Sequence, residues 1–429
     1  MSLLLDRRDF MKAAGAAPFA AIAATGGADN FDGAHLYRDV ETYANLGEHR
    51  TATVVDIRTS QWLASELKQA GFAVERRPFR LRQFSLKAAR FEVDGRVVES
   101  FPVWWPKPTG VKPVTGKLRM MGTLRDGSSP TDLTGKIAVF SMPEVRGASL
   151  VPNSPVNPIL TALAKAGAVA AIGISQVETG ELMALNAMAG PEPWPVPFLL
   201  AGRKEESALA KSAAADATGS VLIDGSDDPQ AEAYEVIGRL DRGGRLFIVS
   251  TPYSGWFHCA GERGPGIALW LALARWAPSR KDSFIFVASS AHELDGVGIH
   301  SFVNEVAPKP GQVACWLHLG AGIATYDYRR IGNGIEMLKT ASPMRRLYTV
   351  PQFEPVLRES FSDLPDLKPI VTDKPGGEMI MMAQKGYPVM GFAGGSPFHH
   401  MPGDLPQRVT GPELLEPVAR DLLKALLRI

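Results

Sequence analysis

The sequence predicts an α/β fold built on a mostly parallel sheet, and three observations lead there. Four short runs rich in β-branched and aromatic residues recur in the C-terminal half, at 246–250, 284–288, 313–317 and 388–392. Each has the length of a buried strand rather than of a helix. The segment 267–276 between the first two is apolar nearly all round, as expected of a helix packed inside a domain. Every run also stops at polar residues: Thr251 and Ser254, then His292, Glu293 and Asp295, then His318, then His399, His400 and Asp404. Ligands of open α/β sheets sit at the carboxyl ends of the strands, so four separate segments converge on one edge.

At 429 residues the chain has room for two domains, or for one domain with a large insertion. Hydrophobic residues make up 45% and charged residues 21%, a globular rather than a disordered composition. Lys and Arg number 46 against 45 Asp and Glu, so no net field draws in nucleic acid or an anionic membrane. The two cysteines, Cys259 and Cys315, cannot make a disulfide framework; two free thiols are the expected state, with a single bridge between them in an oxidising compartment as the alternative. No apolar run beyond the N-terminus is long enough to span a bilayer, so no integral membrane segment is expected in the mature chain.

Along the chain, Arg7, Arg8, Phe10 and Lys12 precede a short Ala-rich stretch, which resembles a twin-arginine export signal. Residues 1–28 are therefore read as a signal peptide, with a periplasmic or secreted destination. Residues 51–71 have the periodicity of an amphipathic helix closed by Ala70 and Gly71. The alternation at 72–82 reads as a half-exposed strand, with Arg76, Arg77, Arg80 and Arg82 on its solvated face. Pro102, Pro106 and Pro108 close that segment.

Residues 110–224 change texture, with Gly135-Lys136 before one buried run and Gly167-Ala168 before another. This α+β lobe resembles the protease-associated domain inserted in several exopeptidases. The expected division is thus an α/β domain from 29–109 and 225–429, with 110–224 as the insert. Residues 234–240 read as a hairpin entering the strand at 246–250. Segments 326–330, 344–349 and 356–368 read as a surface excursion edging the cleft, in which Arg329, Arg330, Arg345 and Arg346 either receive a substrate carboxylate or, as is more common for such residues, face solvent. An amphipathic helix at 414–427 closes the chain.

As a whole the chain resembles the co-catalytic zinc aminopeptidases of metallopeptidase family twenty-eight, whose relatives include glutamate carboxypeptidase and glutaminyl cyclase. The resemblance implies a three-layer αβα sandwich around a mostly parallel mixed sheet, zinc-exopeptidase-like, with an inserted protease-associated-like domain. It also shows where the chemistry departs. The family's His-x-Asp falls on Pro252-Tyr253-Ser254, its bridging Asp on Glu262, its Glu-Glu pair on His292-Glu293 and its later Asp on His318. Glu378 takes the substrate-side acidic position, and the final His is kept as His400. One ligand of a dinuclear site is missing, so that site is not carried over.

Glu262, Glu293, His318 and His400 remain as N and O donors from separate loops, a set suited to one divalent ion, zinc first. His292 has the side chain of a general base near neutral pH, with Glu293 beside it as the second catalytic residue. Ser254, Arg263 and Glu378 are expected to touch substrate. The first expectation is therefore a mononuclear metallohydrolase cleaving a peptide, amide or ester bond. The alternative is a catalytically silent relative that binds a peptide or small polar ligand in the same cleft. A third reading uses Cys259 as nucleophile beside His258 or His292. His258 is otherwise structural or a replacement for the ligand missing at Pro252, and Asp295 either orients His292 or starts a turn.

Overall fold

The four apolar runs are strands, and they are parallel neighbours. Leu246–Pro252 is flanked on one side by Ser283–Ser289 and on the other by Val313–Leu319, which in turn pairs with Val389–Phe392. The structure is a computed structural model describing residues 29–429 apart from 126, 144, 146–148, 151–153 and 333. The export signal read at 1–28 lies outside the described residues.

Alternation along these strands builds a layer on each face. Phe247, Val249, Phe284, Phe286, Leu317 and Met390 point into one core, which also holds the helices Gly33–Ala44, Gly264–Trp276 and Pro412–Leu426. Ile248, Ile285, Val287, Trp316 and Val389 point into the opposite core, with Ile299, Phe302, Met379 and Met382 from the helices Val297–Glu305 and Met379–Gln384. Side chains two apart share a face, so runs apolar at every position must be covered on both sides. The result is the expected three-layer sandwich with helices on both faces of a mixed, mostly parallel sheet.

The helix Gly264–Trp276 shows why its sequence reads apolar all round. It starts with Pro265 in its first turn, and all but one of its residues are buried. Trp270 stacks edge-on to Phe286 at 5.4 Å and donates its indole N–H to the Val249 carbonyl at 3.1 Å. Gly266 lets the helix approach the sheet, since a Cβ there would lie 2.7 Å from the Leu319 carbonyl oxygen. Full burial of each such Leu, Ile or Phe contributes about 1.5–3 kcal/mol.

Among the described residues the sheet has fourteen strands, and its path continues beyond Ser283–Ser289 through the 23-residue strand Thr218–Leu240. That strand pairs antiparallel with Ser283–Ser289 at one end and with Val114–Thr123 at the other. It carries the hydrogen-bonded ladder on to Lys136–Ser141, Ala170–Ser175 and Phe198–Gly202. Along most of its length it also pairs with Ala73–Val93, the half-exposed strand expected at 72–82, here extended to 21 residues. Among the described residues no helix is long and apolar enough to cross a membrane.

Three expectations need correcting. Residues 234–240 do not form a hairpin with 246–252, because Ser283–Ser289 lies between them; the buried strand is flanked by parallel partners on both sides, and a two-strand turn cannot deliver that. Residues 347–349 are not part of a surface excursion but pair antiparallel with Val389–Phe392 at the sheet's end. Arg345 is 2% exposed and ion-paired with Asp366, not solvent-facing. On the half-exposed strand face, the arginines at 76, 77 and 82 meet Ser60 and the Tyr234 ring, Glu235 and Glu305, and Asp227.

Candidate active site

Beyond the ends of the central strands lie two adjoining groups of buried polar side chains. The first is a chain of hydrogen bonds leading out of the core. Ser250 and His318 are partners across the parallel ladder, which brings Ser250 Oγ to 2.9 Å from His318 Nδ1. Trp316 donates its indole N–H to the same Oγ at 2.8 Å. The Ser250 hydroxyl proton is then directed to Nδ1, which we assign as the acceptor, so the neutral His318 ring carries its proton on Nε2. Burial lowers the His318 pKa to about 4, which keeps the ring neutral. Its Nε2 faces Glu378 Oε2 at 3.7 Å.

Glu378 Oε1 in turn meets His292 Nδ1 at 2.6 Å. Burial would raise the Glu378 carboxyl, but His292, His318 and Arg263 outweigh it and hold it below its ordinary value. An ionised Glu378 accepts the Nδ1 proton of His292 and leaves Nε2 as that ring's lone-pair nitrogen. The His292 side chain is 21% exposed, so solvent reaches the ring. Glu378 therefore stands as the partner of the imidazole, not as a substrate contact.

The second group is centred on Glu262, whose backbone N–H and that of Gly261 donate to Asp404 at 3.1 and 2.6 Å. Gly261 is required there, since a Cβ would lie 2.9 Å from Asp404 Oδ1. Glu262 Oε1 is 3.2 Å from His400 Nε2 and 2.7 Å from Arg263 Nη2, yet neither carboxylate oxygen has an aligned hydrogen-bond partner. Burial would raise this carboxyl, but the Arg263 guanidinium beside it holds it well below the usual carboxylate range. His400 Nδ1 lies 3.2 Å from the Ala184 carbonyl, which can only accept; Nδ1 therefore carries the proton and Nε2 presents a lone pair to Glu262. Two acceptors facing each other need a proton or a cation between them.

His399 stacks on His400 with ring centroids 4.1 Å apart, and its buried Nδ1 has no hydrogen-bond partner. The ligand atoms of Glu262, His399 and His400 all lie within 4.8 Å of one another, a group that can hold a metal ion. Ligands about 2.0–2.1 Å from a tetrahedral zinc stand roughly 3.3 Å apart, close to the His400–Glu262 separation. The Glu262–His400 pair therefore has the spacing of two ligands of one ion, and His399 offers a third nitrogen within 4.8 Å of both.

Two expected ligands are placed elsewhere. Glu293 Oε1 accepts from the Thr51 N–H and hydroxyl at 2.9 and 2.6 Å, and Oε2 accepts from the Ser254 hydroxyl at 2.6 Å. Its charge is satisfied by inward hydrogen bonds, which corrects the roles of metal ligand and catalytic residue expected for it. Ser254 is fully buried and occupied by Glu293, so it does not serve as a substrate contact. His318 is tied to Ser250 on one nitrogen and directs the other to Glu378, a positioning role rather than a ligand's. His258 meets the Ala44 carbonyl at 2.9 Å through Nδ1, a structural contact. Asp295 sits in a left-handed turn (φ 64°), and the carboxylate that orients His292 is Glu378. Both cysteines are free and buried, and burial pushes the Cys259 thiol well above its ordinary value, against a nucleophilic thiolate.

Sequence reasoning set His399 aside in favour of His400 and missed the segment around Ala184. Neighbouring side chains usually diverge, but His400 has left-handed backbone (φ 60°), and the two rings stack. The Ala184 N–H donates to the His400 carbonyl at 2.9 Å, the Ala187 N–H donates to the Glu293 carbonyl at 2.9 Å, and Trp256 Nε1 donates to Asn186 Oδ1 at 2.9 Å. The segment 184–187 thus braces both polar groups. The signal available in the sequence was only the repeated small residues there.

No protein-family sequence profile and no curated protein sequence matches this chain. Solved structures do. A zinc aminopeptidase from Bacillus subtilis superposes with a TM-score of 0.71 at 17% identity, covering 92% of this chain and 94% of that one. A peptidase precursor of metallopeptidase family twenty-eight from Shewanella amazonensis gives 0.67 at 14% identity, covering 93% and 96%. An aminopeptidase from Aneurinibacillus gives 0.60 at 16% identity, covering 93% and 94%. At these identities the likeness is one of fold, and the chain has the zinc-aminopeptidase-like α/β fold over nearly its whole described length.

Proposed function

We propose that this chain is a hydrolase of peptide, amide or ester bonds, with His292 as general base and one divalent ion, zinc first, held by Glu262, His399 and His400. The observation that carries the reading is the facing of His400 Nε2 and Glu262 Oε1 at 3.2 Å with both carboxylate oxygens lacking an aligned partner. Arg263 Nη2 supplies one charge to this carboxylate at 2.7 Å, and a cation between Glu262 and His400 would pair the two acceptors that face each other there. When bound, the ion would supply Lewis acidity toward the scissile carbonyl and the attacking water.

The protein's own part is proton transfer and orientation. His292 Nε2 takes the proton of the attacking water, and Glu378 holds the ring's tautomer and stabilises the imidazolium that forms. His318, fixed by Ser250, holds Glu378 from behind. We further infer export by the twin-arginine route and a lid role for the insert at 110–224, supported by Arg7, Arg8 and the brace at 184–187.

The test is a panel of aminoacyl arylamides and simple esters offered to the zinc-reconstituted protein. Wild type is expected to turn over at least one class, with kcat/KM reduced 10²–10⁴-fold in His292→Ala. Equal turnover by that variant would remove the reading. A second reading, a silent ligand-binding relative, is favoured by one observation: Arg263 already lies 2.7 Å from Glu262 and partly neutralises it.

A further inference from the structure

The loop 398–408 carries His399, His400 and Asp404, and a carboxylate from elsewhere in the chain closes on it. Glu181 Oε2 accepts from the Gly403 N–H at 2.9 Å and Oε1 accepts from Arg408 Nη1 at 3.0 Å. The Glu181 side chain is only 15% exposed, so water screens this pair little. Gly403 permits the approach, since a Cβ there would lie 2.5 Å from Glu181 Oε1. Arg408 also covers the Phe398 ring at 4.1 Å, so the ion pair ties the start of the loop to its end. Two further contacts come from the same segment as Glu181. The Thr179 hydroxyl donates to Met401 Sδ at 3.1 Å, and the Ala184 N–H donates to the His400 carbonyl at 2.9 Å. That segment is itself anchored: the Lys204 N–H donates to the Gly180 carbonyl at 3.0 Å and the Met183 N–H to the Ser175 hydroxyl at 3.1 Å, which fastens it to the ends of the strands Phe198–Gly202 and Ala170–Ser175.

What the grip holds is a strained turn. His400 has left-handed backbone (φ 60°), and its ring stacks on that of His399. A non-glycine residue in that region persists only where its surroundings over-determine it. Thr179, Glu181 and Ala184 do so here, and of their three contacts that of Glu181 is charge-assisted, the stronger kind. We propose that Glu181 is a positioning residue for the His399–His400 pair. By holding Gly403 and Arg408 it fixes the loop in which the two rings stack beside Glu262, so the affinity of the site for its ion depends on a carboxylate that does not touch the ion. Residues that hold metal ligands in this way are typically worth about 10–100-fold in affinity.

The proposal rests on the single-ion reading for its metal readout, and a second readout needs no metal. The experiment measures the zinc dissociation constant by chelator competition, and amide hydrogen exchange of the metal-free chain by mass spectrometry. It compares wild type, Glu181→Ala, Glu181→Gln and, as a control for the loss of a surface carboxylate, Glu99→Ala, whose partner Lys204 lies outside the loop. Glu181→Ala is expected to bind zinc about 10–100-fold more weakly and to exchange faster over 398–408, with the helix Gly264–Trp276 exchanging as in wild type. Glu181→Gln keeps an acceptor for Gly403 without the charge and should fall between, and Glu99→Ala should match wild type. If Glu181→Ala does not fold, the glutamine variant decides. Unchanged zinc affinity overturns the proposal even where urea unfolds the variant more readily, since a merely structural residue gives that result. Weaker zinc binding with equal exchange over 398–408 overturns it as well. A wild-type chain that binds no zinc removes the single-ion reading instead, and exchange alone then decides: faster exchange over 398–408 keeps the positioning role, and equal exchange overturns it.

Discussion

His292 Nδ1 and Glu378 Oε1 are 2.6 Å apart, although 86 positions separate the two residues in the chain. A carboxylate at that distance fixes the tautomer of the imidazole and gains strength as the ring becomes charged. Glu378→Gln keeps the shape and removes the charge. It is expected to lower kcat by about 10²–10⁴-fold with little change in KM, measured on the best substrate found for wild type. An unchanged kcat would leave the pair as a structural contact only.

Behind Glu378, the Trp316–Ser250–His318 chain sets which nitrogen of His318 carries the proton. Ser250→Ala deletes the donor to Nδ1, and kcat/KM is expected to drop about tenfold, about 1.4 kcal/mol. Ser250→Thr restores the hydroxyl and should recover most of it. Equal loss in both variants would point to packing instead.

Glu293 is held by Thr51 and Ser254, and that assignment separates stability from metal binding. Thr51→Val and Ser254→Ala each leave part of a buried carboxylate without its donor, at a cost of about 1–3 kcal/mol in urea unfolding. Zinc content should stay at the wild-type value. Loss of zinc with unchanged stability would return Glu293 to the metal site.

Acid sensitivity follows from His49, which is buried against Tyr43 and Thr59 and whose pKa burial lowers to about 3. The unfolded chain binds this proton below about pH 6.5, and the native chain does so only near pH 3. The unfolded state therefore holds more protons in between, and stability falls as pH drops through that window. From pH 6.5 to 5 the loss from this one group is about 2 kcal/mol. His49→Gln should show a shallower fall over that range in denaturation midpoints. A parallel fall would place the acid sensitivity in other groups.

Much of the fold was legible because strands buried on both faces leave continuous apolar runs, and each of the four runs became a parallel strand. Pairing order was not legible: nothing in 234–240 says that its partner is 283–289 and not the nearer 246–252, since register depends on which surfaces meet in the folded chain. At the site, the convergence of His292, His318, Glu262 and His400 could be read from strand ends. Their division of labour could not. Glu293 and a metal ligand look alike in sequence, and the difference lies in Thr51, 242 positions away. His399 was hidden because a left-handed residue, not a spacing, turns it beside His400.

The most direct test of the account is the zinc content of the purified chain, determined by plasma mass spectrometry on wild type, His399→Ala and His400→Ala in parallel. The account predicts one ion per wild-type chain, lost or bound at least tenfold more weakly in both variants, with folding retained by circular dichroism. A wild-type chain that takes up no zinc on reconstitution, or that keeps its ion in both variants, would contradict it.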